Sequence, residues 1–129
     1  MTTILANIAK VHDRIQQAAQ KSSRDVTDIT LMAVSKTQAA SAITEAHQEG
    51  GLRHFGENYV QEAEEKLATL HHLPLIWHFI GPLQSNKTPE AVALFDVIET
   101  VDREKIARAL ASEMARQGRR LRLYVQVNT

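Results

Sequence analysis

The first segment of the chain has the apolar spacing of an amphipathic helix. Hydrophobic side chains recur at intervals of four, three and four residues, which places them on one helical face. The side chains of this face are Ile4, Ile8, Val11 and Ile15. Thr2 or Thr3 is expected to cap the first turn, because a hydroxyl can accept a hydrogen bond from a free backbone N–H there. The polar stretch 21–28 ends the predicted helix.

After this helix, short apolar runs alternate with segments of helical periodicity. The runs, which we interpret as strands, are 29–34, 52–55, 76–80, 95–101 and 121–127. The helical segments are 41–49, 60–70, a short one with Thr88 as N-cap and Pro89 at its first position, and 102–117 before Gly118. The strands begin 23, 24, 19 and 26 residues apart. Such even alternation predicts right-handed βαβ units and therefore an α/β fold with a parallel sheet.

Two architectures accommodate this pattern. One is a five-stranded doubly wound sheet, which suits a chain of 129 residues. The other is a (β/α)8 barrel of the TIM type that stops after its fifth strand, since eight such units and a leading helix would need about 210 residues. The length alone favours the doubly wound sheet. The fifth strand, however, has no helix after it to cover its outer face, as parallel sheets normally require.

Composition restricts the class of protein. The 15 basic and 15 acidic side chains give a net charge of zero, which argues against a dedicated binder of nucleic acid or of a membrane surface. No apolar run approaches the roughly 20 residues of a membrane span. The absence of cysteine excludes a disulfide frame, a zinc ribbon and a thiol nucleophile. We therefore expect a soluble cytoplasmic protein in which 1–129 belongs to a single domain.

Lys36 is the first candidate for chemistry, because function in either architecture gathers where parallel strands end. It follows the run 31–34, and alternation places it on the same face as Met32 and Val34. Its amine is then expected at the functional rim, above an apolar floor. Desolvation lowers the pKa of a lysine and frees the amine to form a Schiff base with a carbonyl. A solvated lysine that closes a strand is the simpler interpretation, and position alone favours it.

The other polar residues give less specific signals. No pair of carboxylates follows the strands in a placement for acid–base hydrolysis. His54 and His78 fall inside strands and lack the spacing of a zinc motif, so we interpret them as packed, hydrogen-bonded side chains and predict no metal site. Glu62, Glu64 and Glu65 are interpreted as the solvated face of a helix.

Three motifs together resemble a known family. They read LMAVSKT at 31–37, FGENYVQE at 55–62 and WHFIGPLQSNK at 77–87. In this order and at these separations they closely resemble the YggS/PROSC family of pyridoxal phosphate homeostasis proteins, which are single-domain relatives of the alanine racemase barrel. The resemblance extends over nearly the whole chain.

The resemblance implies a (β/α)8 barrel of the alanine racemase N-terminal class, here with a leading helix and about five strands. It implies that Lys36 holds pyridoxal 5'-phosphate as a Schiff base. It also implies that further residues lie by the cofactor mouth. These are Asn58, Tyr59, His78, Gly81 and Gln84. Members of the family bind, buffer or deliver the cofactor without established catalysis, so we expect no catalytic residue here.

The chain departs from the family in one respect. The last three strands of the family, which carry the phosphate-binding Ser/Gly loop and an arginine facing the pyridine nitrogen, have no counterpart in this sequence. We therefore expect one pyridoxal phosphate-binding barrel domain, 1–129, truncated after strand five and weakened in cofactor affinity. A half-open barrel exposes sheet edges and inward faces, which favours self-association, although the family is usually monomeric.

Three functions remain as hypotheses. The first is non-catalytic cofactor binding in pyridoxal phosphate homeostasis, with pyridoxal phosphate-dependent apoenzymes as candidate acceptors. The second is a racemase-like amino-acid enzyme or a Schiff-base lyase that uses Lys36, although the sequence shows no second acid–base group for turnover. The third is an interaction module that assembles with another copy or with the absent half of the barrel. The resemblance favours the first.

Overall fold

The computed structural model describes residues 3–129, in which five helices alternate with five strands. The helices are α1 (Ile4–Lys21), α2 (Ala40–Gln48), α3 (Val60–Leu70), α4 (Thr88–Leu94) and α5 (Glu104–Gln117). The strands are β1 (Met32–Val34), β2 (His54–Glu57), β3 (Ile76–Phe79), β4 (Val97–Val101) and β5 (Arg122–Val125). Short 3-10 turns at Val26–Asp28 and Ser85–Lys87 precede β1 and α4. The alternation predicted from the sequence is confirmed.

The strand order decides between the two architectures. All five strands are parallel, and each pairs with its neighbour in the sequence, so the order is β1-β2-β3-β4-β5. A doubly wound sheet reverses its strand order part of the way along, so that alternative is wrong. A strictly consecutive order is that of the (β/α)8 barrel, and the described residues form five consecutive strands of such a sheet.

The helices cover one face of the sheet. They pack in succession, α1 on α2, α2 on α3, α3 on α4 and α4 on α5. The core between helices and sheet is apolar, and burial of this surface is the main force that holds the layers together. Its largest fully buried apolar side chains are Phe55, Phe79, Phe95, Ile43, Leu70, Ile98, Ile106 and Leu110. The opposite face, which is the inner face of a barrel, carries polar side chains and is described with the site.

Local signals explain most element boundaries. The Thr3 hydroxyl caps α1 by accepting a 3.0 Å hydrogen bond from the Ala6 amide, whereas the alternative cap, Thr2, lies outside the described residues. Gly118 ends α5 in a left-handed conformation, as predicted. The ladder of β1 begins at Met32 rather than at residue 29, and the 3-10 turn Val26–Asp28, which the Asp25 carboxylate caps, precedes it.

The prediction that Thr88 is the N-cap of α4 is wrong. The 3-10 turn Ser85–Lys87 continues directly into α4, so Lys87 holds the cap position and Thr88 is the first helical residue. The Thr88 hydroxyl instead donates a 2.8 Å hydrogen bond to the Ser85 carbonyl.

Candidate functional site

Lys36 lies in a tight turn at the carboxyl end of β1. The Ser35 amide still pairs with the Gly56 carbonyl at 2.9 Å, so the β1–β2 pairing continues up to the residue before Lys36. The chain then turns, and the Gln38 amide donates a 3.0 Å hydrogen bond back to the Ser35 carbonyl. Ser35 is buried whereas Lys36 is exposed. The turn therefore presents the lysine at the rim of the sheet, as the sequence predicts. The expected desolvation is wrong for this chain, because Lys36 is exposed.

Thr37 gives this turn an unusual backbone. Its φ of 63° lies in the left-handed region, which β-branched residues rarely adopt. A positive φ at the third residue of a four-residue turn is the pattern of a type II turn, in which glycine or asparagine usually takes that place. Such a conformation persists where surrounding contacts hold it, and it is common next to functional groups.

Those contacts come from four residues, which we call the Lys66 cluster: Ser35, Glu57, Glu62 and Lys66. The Lys66 ammonium donates to the Ser35 carbonyl at 2.6 Å and to Glu62 at 2.7 Å. It also lies 3.1 Å from both carboxylate oxygens of Glu57. The Ser35 hydroxyl donates to Glu57, and the Thr37 amide donates to Glu62. The cluster thus ties the turn of Lys36 to β2 and α3.

Burial makes the charges of this cluster interdependent. Glu57 is 0% exposed and Lys66 is 9% exposed. A charge removed from water is stable only when an opposite charge and hydrogen bonds replace its hydration, which each of these residues provides for the other. Hydrogen bonds from Lys66 and then from the Thr37 amide lower the pKa of Glu62 below its ordinary value. Glu62 is therefore held as a carboxylate.

The sequence did not predict this cluster. Glu62 is partly solvated, as the helix-face interpretation predicts, but its carboxylate also accepts hydrogen bonds from the Thr37 amide and Lys66, which that interpretation does not include. The spacing of Glu62 and Lys66 is the i,i+4 spacing of a helical ion pair and was a usable signal. No comparable pattern marks Glu57, whose burial depends on how α3 packs over the end of β2.

Asn58 and Gly81 meet at the neighbouring strand ends. Asn58 follows β2, and Gly81 lies two residues after the end of β3. A Cβ atom at Gly81 would lie 2.1 Å from the backbone oxygen of Asn58, so only glycine permits this close approach. The side-chain oxygen of Asn58 is buried and has no hydrogen-bond partner among the described residues. A buried acceptor of this kind is a place where a bound group can supply the missing donor.

Tyr59 and Gln84 lie on an open depression beside this contact. Its volume is about 350 Å³, and its lining includes Asn58, Tyr59, Gln84 and Lys87. The Tyr59 side chain is 57% exposed. The structure therefore brings Asn58 together with Tyr59, Gly81 and Gln84 at the adjoining ends of β2 and β3, whereas Lys36 is not among the residues that line this depression.

His78 lies deeper, on the inner face of the sheet. The strand register aligns it with Gly56 of β2, one layer below the level of the strand ends. His78 Nδ1 lies 2.7 Å from the Glu99 carboxylate, and its Nε2 lies 2.9 Å from His54 Nδ1. The prediction that both histidines are packed and hydrogen-bonded is confirmed.

The two imidazoles belong to a polar inner surface. His54 and His78 line a cavity of about 570 Å³ together with Glu99, Arg122 and Tyr124. The hydrogen bonds are satisfied when each ring carries its proton on Nδ1. Burial lowers the pKa of His54 below its ordinary value, and the adjacent His78 ring lowers it further, because two neighbouring imidazolium charges would repel each other. His54 is thus held in its neutral form.

The consecutive parallel strands define a (β/α)8-type barrel sheet with a lysine-bearing turn at its rim. Comparison with known proteins identifies the family to which such a chain belongs. Residues 6–129 match the family of the alanine racemase N-terminal domain, and the chain belongs to that family. More particularly, it is 52% identical over 128 residues to the pyridoxal phosphate homeostasis protein of Pseudomonas aeruginosa, covering 99% of this chain and 55% of that protein. It is 47% identical over 133 residues to the protein of the same name from Vibrio cholerae, covering 100% of this chain and 56% of that one.

A solved structure agrees with these sequence relationships. The fold is similar to that of PipY from Synechococcus elongatus PCC7942 with pyridoxal phosphate bound, with a TM-score of 0.77 and 44% identity. The match covers 88% of this chain and 54% of PipY. The resemblance to pyridoxal phosphate homeostasis proteins predicted from the three motifs is confirmed. The chain spans just over half the length of these relatives.

Among residues 3–129 no helix combines the length and the apolarity needed to span a bilayer. Within the same range, no group of three or more His, Asp or Glu side chains is arranged to hold a metal ion.

Proposed function

We propose that this chain binds pyridoxal 5'-phosphate, with Lys36 as its Schiff-base lysine, and takes part in cofactor homeostasis in the cytoplasm. The observation that carries the proposal is the turn of Lys36. An exposed primary amine lies at the carboxyl end of a barrel strand, in a turn whose next residue, Thr37, has a left-handed backbone. A buried ion pair connects this turn to the next strand and to α3. Such a rigid support suits an amine that has to meet a carbonyl carbon in one direction.

The residues that follow β2 and β3 fit the same cofactor. The unpartnered side-chain oxygen of Asn58 can accept a hydrogen bond from a bound group. The exposed ring of Tyr59 offers an aromatic surface, and Gln84 offers an amide on the same depression. Gly81 keeps the mouth open where a larger residue would displace Asn58. We assign these residues, with Lys36 and His78, to the cofactor site.

Pyridoxal phosphate supplies an aldehyde that condenses with a primary amine when it is bound. In this chain the Lys36 amine would make that attachment with loss of water, and the Lys66 cluster fixes the backbone on both sides of it. His78 already uses both ring nitrogens on His54 and Glu99. Its part is therefore to form the polar floor beneath the mouth, with its orientation set by Glu99.

The role we propose is binding rather than catalysis. The name of the relatives, pyridoxal phosphate homeostasis protein, supports this choice. Pyridoxal phosphate-dependent apoenzymes are the proposed recipients of the cofactor. The purified chain, loaded with cofactor, is expected to leave the enantiomeric composition of alanine unchanged and to activate an added apoenzyme. Racemisation above a Lys36→Ala control would overturn the choice.

We also propose that the chain associates with a second copy of itself through the exposed strand β5. All residues of β5 are exposed, and Val125 and Val127 are each 76% exposed. Exposed apolar strand residues next to an open sheet edge favour pairing with another chain. Sedimentation velocity is expected to show a mass that increases with concentration, and a single monomeric species over the whole range would contradict this proposal.

A spectroscopic titration tests the binding proposal. Pyridoxal phosphate is added to the native chain, to Lys36→Ala and to the control Lys105→Ala, which alters an exposed lysine on α5. The native chain and the control are expected to develop the visible absorbance of the imine with the same apparent affinity. The Lys36→Ala chain is expected to lose that absorbance, and retention of it would overturn the assignment.

A further inference from the structure

We propose that Glu62 and Lys66 are positioning residues that hold the turn 35–37 and thereby aim the Lys36 amine. The inference rests on the proposed function for what Lys36 captures, whereas the support that holds the turn can be tested without any cofactor. No part of it assigns Glu62 or Lys66 a direct contact with a bound group. Both act through the backbone of the residues on either side of Lys36.

Different hydrogen bonds hold the backbone on the two sides of Lys36. On the N-terminal side, the Ser35 carbonyl accepts from the Gln38 amide at 3.0 Å and from the Lys66 ammonium at 2.6 Å. On the C-terminal side, the Thr37 amide donates to the Glu62 carboxylate. The Lys66 ammonium joins the two anchors, because it also donates to Glu62 at 2.7 Å. Lys36 is thus clamped at both neighbouring residues while its own side chain stays exposed.

The left-handed backbone of Thr37 is the reason why such a clamp is needed. A β-branched residue with a φ of 63° has a higher conformational energy than the same residue in an extended conformation. Without the bond to Glu62, the Thr37 amide has no acceptor to hold it in that orientation, and the turn can relax. Because Lys36 is the residue before Thr37, such relaxation swings its side chain away from the mouth.

Glu57 completes the clamp from below. Its hydrogen bonds in the described structure go to Ser35 and Lys66 and not to solvent, since it is 0% exposed. It keeps the Lys66 ammonium under the turn by charge, and it holds the Ser35 hydroxyl in place. The cluster therefore links the end of β2, the first turns of α3 and the turn of Lys36 into one rigid unit.

Glu62→Ala tests the clamp, and the chain provides a matched control. Glu62 lies in the first turn of α3 and pairs with Lys66 four residues later. Glu104 likewise lies in the first turn of α5 and pairs with Arg108 four residues later, on an exposed surface. Glu104→Ala therefore removes an equivalent carboxylate from an equivalent helical pair away from the site. Glu62→Gln is the conservative variant, since its amide oxygen can still accept from the Thr37 amide.

The first measurement uses the chain without cofactor. Hydrogen exchange of the Thr37 amide, followed by NMR, is expected to lose protection by about tenfold in Glu62→Ala because a charge-assisted hydrogen bond is removed. Glu104→Ala is expected to retain the native protection, and Glu62→Gln to recover most of it. Native protection in Glu62→Ala would overturn the clamp.

The second measurement uses pyridoxal phosphate at a concentration below saturation, with borohydride to trap the product on Lys36. The initial rate of trapping is expected to fall by about tenfold in Glu62→Ala and to stay at the native value in Glu104→Ala. Loss of Thr37 protection with an unchanged trapping rate would overturn the aiming of Lys36. If the native chain takes no label at Lys36, the proposed function fails, and Thr37 exchange alone decides whether the clamp exists.

Discussion

The Lys66 ammonium lies 2.6 Å from the backbone carbonyl oxygen of Ser35, the residue that precedes Lys36. The same ammonium forms an ion pair with Glu57, which is completely buried beneath the turn. A buried pair of this kind loses the hydration of both charges, so its effect on stability depends on the presence of both partners. This relationship links the stability of the fold to the geometry of the candidate site.

Removal of one partner of the pair is expected to destabilise the chain strongly. Lys66→Met leaves the Glu57 carboxylate buried and unpaired, and it should lower the free energy of unfolding by about 3–5 kcal/mol. The double variant Glu57→Leu/Lys66→Met removes both charges and should recover most of that loss. Urea unfolding of the two single variants and the double variant measures the coupling. A loss as small as that of Arg108→Met, which breaks an exposed pair, would contradict the account.

Thr37 is expected to reverse the usual ranking of glycine and alanine. Because its φ is 63°, Thr37→Gly should be more stable than Thr37→Ala by about 1 kcal/mol, since glycine adopts this backbone without a steric cost. The exposed residue Ala93 in α4 provides the control, because Ala93→Gly should be destabilising there by about 1 kcal/mol. Thermal unfolding of the three variants and the native chain checks the ranking. Equal stability of the two Thr37 variants would be inconsistent with a left-handed backbone at Thr37.

Gly81 is expected to tolerate no side chain, for a reason that differs from that at Gly118. A Cβ at Gly81 meets the Asn58 backbone at 2.1 Å, so Gly81→Ala should cost about 1–3 kcal/mol and weaken cofactor binding by displacing Asn58. Gly118 has a φ of +67°, and a Cβ added there would meet no atom within 4 Å. Gly118→Ala should therefore cost about 1 kcal/mol and leave binding unchanged. Chemical denaturation and the cofactor titration distinguish the two, and equal effects of both variants on binding would refute this explanation.

The half-buried side chain of His54 predicts a pH dependence of stability. Its folded pKa is lower than the unfolded value of 6.5, chiefly because of burial. Below pH 6.5 the unfolded chain therefore binds this proton before the folded chain does, so the free energy of unfolding decreases as the pH falls. His54→Gln removes this contribution and should show a shallower decrease between about pH 7.5 and 5.5. Urea unfolding at both pH values measures the difference, and an identical decrease in the two proteins would show that His54 does not contribute.

The sequence contains enough information for the order of elements and for the position of Lys36. Apolar runs of strand length are separated by helical stripes, and Lys36 follows one such run, so its place at a strand end can be predicted. The strand order could not be predicted from periodicity, because both architectures share the same alternation. The three motifs favoured the barrel, and the pairing of each strand with its sequence neighbour confirms that choice.

The support beneath Lys36 could not be predicted for a physical reason. The burial of Glu57 and Lys66 depends on how α3 packs over β2, which is a tertiary property that the sequence spacing does not encode. The prediction of the N-cap of α4 is wrong for a related reason. Thr88 follows a 3-10 turn that already begins the helical winding, so a residue type typical of caps became the first helical residue. The assignment of six residues to the cofactor site, and the extent of the domain, stay predictions. These residues are Lys36, Asn58, Tyr59, His78, Gly81 and Gln84.

Peptide mapping of the borohydride-reduced complex tests the central claim most directly. The chain offers several competing amines, at Lys10, Lys21, Lys66, Lys87 and Lys105. After incubation with an equimolar amount of pyridoxal phosphate, reduction and digestion, mass spectrometry is expected to find the pyridoxyl group on Lys36. The account predicts that this label disappears in Lys36→Ala without moving to another lysine. A label distributed over the exposed lysines, with Lys36 no more modified than Lys105, would contradict it.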